Sequence, residues 1–67
     1  MKVIYDPETD TLTIVLREGA IADSDEVRPG VIADFDAEGG ILRFELLSAS
    51  TVVTNPTSIE LMLEQVA

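Results

Sequence analysis

Polar and apolar residues alternate along most of this chain, and the period changes near its end. Lys2 to Tyr5 predicts a first strand, stopped by Asp6-Pro7, since proline has a fixed φ and no N–H to donate. Thr11 to Leu16 predicts the clearest strand, with Leu12, Ile14 and Leu16 on one face and Thr11, Thr13 and Val15 on the other. Glu18-Gly19 marks a turn. Ile21 to Val27 follows as a short edge strand, because Asp23, Ser24, Asp25 and Glu26 leave little to bury and discourage edge-to-edge pairing. Pro29-Gly30 suits the centre of a type II turn, and Val31 to Asp36 and Ile41 to Leu47 complete the strands.

One turn is written twice. Tyr5-Asp6-Pro7-Glu8 leads into Leu12-Thr13-Ile14, and Phe35-Asp36-Ala37-Glu38 leads at the same offset into Leu42-Arg43-Phe44. Aromatic matches aromatic, Asp matches Asp and Glu matches Glu, as in two hairpins of one design. Gly39 is the residue expected at the left-handed position of the second. Ser48-Ala49-Ser50 admits a helical turn. Beyond it, Thr57 and Glu60 have the spacing of a capping box, and Ile59, Met62, Leu63 and Val66 form one helical stripe. A helix of about ten residues is marginal alone, so the stripe has to dock. The expected fold is therefore α+β: an antiparallel β-meander of four to five strands with a C-terminal helix packed on the sheet. It forms a single domain over 1–67, with the strands in 1–50 and a linker and helix in 51–67.

Strand alternation divides the sheet into unequal faces. Val3, Tyr5, Leu12, Ile14, Leu16, Ala33, Phe35, Leu42, Phe44 and Leu46 make a core face. The opposite face mixes Thr11, Thr13, Asp34, Asp36, Arg43 and Glu45 with Ile4, Val15, Ile32, Ile41 and Leu47. One short helix covers only part of one face, so the surplus predicts burial against another chain. The expected interface comprises Ile4, Val15, Ile32, Ile41, Leu47, Ile59, Met62, Leu63 and Val66, and the expected assembly is a homodimer.

Size strengthens this expectation. A chain of 67 residues buries only about 60% of the surface its unfolded form exposes. Small domains add disulfides, metals or partners to compensate, and this chain has no Cys and no His. Thirteen acidic residues against four basic ones give a net charge of −9. That field opposes nucleic acid and anionic membranes and favours a basic protein partner. Met1-Lys2 runs directly into a strand instead of a leader, and no apolar run reaches spanning length, so a cytoplasmic location is expected.

Candidate chemistry is thin. Asp6, Glu8 and Asp10 alternate like the start of a calcium loop, but Thr11 stands where the loop needs Gly and Arg17 where it needs Glu. Asp34, Asp36 and Glu45 beside Arg43 could serve a metal- or ligand-binding domain or an enzyme subunit, an alternative to the binding role. Acid–base work requires burial that separates the pKa values, and strands this short promise little cleft. A surface ion pair between Asp34 and Arg43 is the expected use. Ser24, Ser48, Ser50 and Ser58 have no His to activate them. The expectation is a non-catalytic protein, without cofactor or metal.

The segment Val3-Ile4-Tyr5-Asp6-Pro7-Glu8-Thr9-Asp10-Thr11-Leu12-Thr13-Ile14 resembles the start of the DUF2283 family of small bacterial proteins. The resemblance continues through Asp25-Glu26-Val27-Arg28-Pro29-Gly30-Val31-Ile32-Ala33-Asp34-Phe35-Asp36 and Gly39 to Ile41-Leu42-Arg43-Phe44-Glu45-Leu46-Leu47-Ser48-Ala49-Ser50. It covers residues 1 to 50 and leaves out the predicted helix. The family has no established activity. Its members often accompany small toxin-like proteins that resemble RNA-cleaving toxins, so the resemblance implies an antitoxin-like partner of a basic toxin. Relatives that end in a basic tail differ from this chain, and that departure removes the usual support for DNA binding.

Overall fold

The computed structural model describes residues 1–59 and 64–65. Five strands form one antiparallel sheet: β1 (Lys2–Asp6), β2 (Thr11–Val15), β3 (Asp23–Arg28), β4 (Val31–Phe35) and β5 (Ile41–Leu46). Their order across the sheet is β1-β2-β5-β4-β3. The expected meander runs through β3, β4 and β5, and the β1–β2 hairpin extends it by laying β2 along β5. The segment between β2 and β3 crosses the end of the sheet. It is anchored there by the N–H groups of Leu16 and Arg17, which both donate to the Leu42 carbonyl at 2.8 and 3.2 Å. Two donors on one acceptor end the ladder in a bulge and turn the chain away.

The duplicated turns fold alike. Asp6 accepts the N–H of Glu8 at 3.0 Å, and Asp36 accepts that of Glu38 at 3.0 Å. The short acid that closes each strand thus satisfies the backbone of its own turn. Gly39 has φ +84°, the left-handed conformation expected of it. Gly19 serves a different purpose: a Cβ there would stand 3.0 Å from the Leu42 side chain, so the crossing loop packs closely because it lacks one.

Register confirms the division into faces. Val3, Ile14, Phe44 and Ala33 lie in one row across four strands, with Tyr5, Leu12, Leu46 and Val31 in the next. Of the expected core face, Leu12, Ala33 and Leu42 are fully buried, joined by Ala49 from the 3₁₀ turn Ala49–Thr51. Val3 and Leu16, expected inside, are each 42% exposed. Val3 lies on the outermost strand and Leu16 on the departing bulge, where among the described residues no strand follows to cover them. β3 is the expected edge strand, and all six of its residues are exposed.

The C-terminal helix is the correction. The hydroxyl and N–H of Thr57 both donate to Asn55 Oδ1, at 2.7 and 3.2 Å, and Ser58 N–H donates to the Asn55 carbonyl at 3.2 Å. Asn55 Oδ1 thus closes a turn over Pro56 and Thr57. Thr57, Ser58, Ile59, Glu64 and Gln65 are not helical. Glu60, Met62, Leu63 and Val66 lie outside the described residues. The only helical element among the described residues is the 3₁₀ turn, so the architecture they define is all-β and not α+β.

Candidate functional site

The face opposite the core has a polar centre. Ser24 on β3, Asp34 on β4 and Arg43 on β5 lie side by side in register. Asp34 is only 1% exposed, although no second layer covers it among the described residues. A short side chain on an inner strand is hidden by its longer neighbours. Its carboxylate accepts a hydrogen bond from the Ser24 hydroxyl and another from Arg43 Nε at 2.7 Å. The expected Asp34–Arg43 pair is thus present, but its acid is buried where a surface pair was anticipated.

Glu45 stands one step along β5 on the same face, in register with Thr13 and Ile32. Burial pushes the Asp34 carboxyl up, but hydrogen bonds from Ser24, Arg43 and Glu45 together leave it below the usual carboxylate range. Glu45 moves the other way. Its hydrogen bond to Asp34 and then its own burial raise it above the ordinary Glu value. The two neighbouring carboxyls are thus shifted apart, Asp34 down and Glu45 up, with Arg43 paired to Asp34. The third acid of the expected site is elsewhere. Asp36 sits in the second turn, bonded by Arg17 and by the N–H groups of Gly40 and Glu38, and these hold its carboxyl below the usual range.

The alternating acids of the first turn are also divided between tasks. Asp10 adopts φ +53° and points toward the 3₁₀ turn. Its carboxylate accepts the Ser50 hydroxyl at 2.6 Å, the Ser50 N–H at 3.1 Å and the Tyr5 hydroxyl at 2.7 Å, and its carbonyl accepts the Ala49 N–H at 2.8 Å. The Ser50 and Tyr5 bonds lower the Asp10 carboxyl, and in return Asp10 raises the Tyr5 phenol. Asp10 is a clamp that closes the chain after β5 onto the first hairpin. Among the described residues no three of His, Cys, Asp or Glu are grouped to hold a metal ion. None of the described helices is long and apolar enough to cross a membrane.

The expected interface residues scatter around the polar centre. Ile4 is 47% exposed, Ile41, Leu47 and Ile59 are exposed, and Val15 and Ile32 are half-buried. Ile4 and Leu47 share a shallow groove with Thr13 and Glu45 on the polar face, whereas Ile59 borders a different groove with Val3, Tyr5 and Pro56. Ile4 and Ile59 therefore stand on opposite sides of β1 and do not form one patch. Met62, Leu63 and Val66 lie outside the described residues.

Sequence reasoning missed the Ser24 bond, the Arg17–Asp36 pair and the Asp10 clamp. An Asp immediately before a strand, where the chain must reverse, was the available signal for the last of these.

The family model for DUF2283, a protein of unknown function, matches residues 2–50, and the chain belongs to that family. No curated protein and no solved structure matches it.

Proposed function

We propose that the protein is a non-catalytic protein-binding module that associates with itself. One observation carries this reading. Among the described residues only four apolar ones are buried, while Val3, Ile4, Leu16, Ile21, Val27, Ile41, Leu47, Val52 and Ile59 remain exposed in a chain that is 46% hydrophobic. Burial contributes about 25 cal/mol per Å² of apolar surface, so a second chain has much to gain from covering these residues. The polar centre has the character of a fixed network. Its serine has no His to activate it, its carboxylate is already bonded on both sides, and its arginine is engaged.

Sedimentation equilibrium over the micromolar range tests the proposal. A mass twice 7.2 kDa is the expected result. A folded monomer throughout, with no partner co-purifying from native extract, contradicts it.

The net charge of −9 supports a second kind of partner, a basic protein. An antitoxin-like role beside a small basic toxin is the form of this that family resemblance favours. Such a complex should loosen as salt is added, because opposite charges are screened.

A further inference from the structure

β1 and β3 are the outer strands of the sheet, and among the described residues no strand lies beside either of them. An open edge presents unpaired N–H and C=O groups, and proteins blunt such edges with charge or bulges. β3 has both devices. Asp23, Asp25 and Glu26 are exposed along it, and its ladder shifts register between Glu26 and Arg28. Paired antiparallel with its own copy about its midpoint, β3 would set Asp25 against Glu26, like charge against like, at its centre and Asp23 against Arg28 at its ends, across a ladder broken by the bulge.

β1 has no bulge, and its charges stand only at its two ends. Its sequence, Lys2-Val3-Ile4-Tyr5-Asp6, has an apolar centre with a cation at one end and an anion at the other. A two-fold axis through Ile4 sets that side chain against itself, Val3 against Tyr5 of the second copy, and Lys2 against Asp6 of the second copy. Lys2, Ile4 and Asp6 occupy one face by strand alternation, so the opposed charges become direct cross-strand neighbours. Within one chain, neither Lys2 nor Asp6 forms an ion pair among the described residues. Apolar surface borders this strand on both sides, with Val3, Tyr5 and Ile59 lining one groove and Ile4 and Leu47 the other.

We infer that β1 is a self-pairing edge, and that two copies join β1 to β1 in antiparallel register about Ile4 to make one continuous sheet. This rests on the self-association proposed above and names the surface that carries it. The contact is isologous, so it closes at two copies and leaves the acidic β3 edges outermost. Each copy carries −9, so added salt tightens this dimer by screening its long-range repulsion, the opposite of what it does to a complex with a basic protein.

Charge exchange tests the register. Lys2→Glu and Asp6→Lys each place like charges opposite one another at both ends of the paired strands. Each variant alone should self-associate about tenfold more weakly than the unaltered protein in sedimentation equilibrium. An equimolar mixture should recover the affinity as a heterodimer, since every repulsive pair then becomes an attractive one. Asp6 also holds its own turn, so Ile4→Lys serves as a second variant at an exposed position. It brings two cations together on the axis and should be monomeric with an unchanged circular dichroism spectrum.

If the unaltered protein is a dimer and these variants dimerise as tightly, β1 is not the interface and this inference fails, while the broader reading survives. If the unaltered protein is monomeric over the whole range, both fail.

Discussion

Leu12, Ala33 and Leu42 disappear into one face of the sheet; on the other, the side chain that disappears is the carboxylate of Asp34. The first face is covered by the chain itself, through the crossing loop at Gly19 and the 3₁₀ turn with Ala49. The second conceals its acid within a network of Ser24, Arg43 and Glu45 and leaves Ile4 and Leu47 exposed. The contrast teaches where this molecule gets its stability and where it has surface to offer. One face is a small finished core. The other is a fixed polar centre with an apolar margin that runs to the β1 edge.

Breaking the finished face should cost most. Leu42→Ala removes the largest fully buried apolar side chain and should destabilise by about 3 kcal/mol in urea unfolding. That is a large share of the stability of so small a domain, so partial unfolding at room temperature is expected. Ile4→Ala, at an exposed position of the other face, should shift the unfolding of the isolated chain by less than about 0.5 kcal/mol.

The polar face should yield less to substitution. Asp34→Ala leaves the Ser24 hydroxyl and Arg43 without their acceptor, and a loss of about 1–2 kcal/mol is expected. Arg43 reaches solvent, which limits the penalty. Asp34→Asn preserves an acceptor and should cost less. If instead Asp34→Ala costs more than Leu42→Ala, the polar centre is the true core and the comparison is inverted.

Acidity should sharpen the contrast. Asp34, Asp36 and Asp10 are held below the usual carboxylate range, so their contribution is present above their unfolded pKa, about pH 4, and is lost as pH falls through the folded values. Glu45 is raised and acts in the opposite sense. The stability its protonated form supplies is complete below the unfolded Glu pKa of about 4.3 and is lost as pH rises through the folded value. Glu45→Gln removes the charge that stands beside Asp34. It should therefore stabilise the protein at neutral pH by a few tenths of a kcal/mol and have no such benefit below pH 4. Equal unfolding midpoints for the two proteins at pH 7 would mean that the Glu45 charge does not weaken the folded state.

The smallest effect is expected at the clamp. Ser50→Ala removes a hydroxyl from Asp10 but leaves the Ser50 N–H and the Tyr5 bond in place. A small fall in melting temperature should follow, with no change in association.

Much of this architecture was legible in the chain. Apolar alternation and turn residues placed four strands, the run of acids marked the edge strand, and parity assigned the core face apart from the exposed Val3 and Leu16. The duplicated Asp-x-Glu turns could be read because their geometry is local. The expectation at Thr57 rested on spacing alone, that of Thr57 with Glu60 and of Ile59, Met62, Leu63 and Val66; Thr57, Ser58 and Ile59 instead follow a turn closed by Asn55. Burial of Asp34 was beyond reach, since it depends on which residues, Ser24 from β3 and Arg43 from β5, stand beside it in register. So were Arg17–Asp36 and Asp10–Ser50, contacts between residues far apart in sequence whose meeting depends on β2 pairing with β5. The polar centre was anticipated in Asp34, Arg43 and Glu45, but Ser24 was missed, Asp36 was wrongly included, and the burial was misjudged.

The central claim is that a chain with this small a core is completed by a second copy. Thermal unfolding measured over a wide range of protein concentration tests it most directly, because association that favours the folded state makes the midpoint depend on concentration. The account predicts a melting temperature that climbs steadily with concentration in the unaltered protein and is flat in Ile4→Lys. A midpoint independent of concentration in the unaltered protein, at the mass of a single chain, would contradict it.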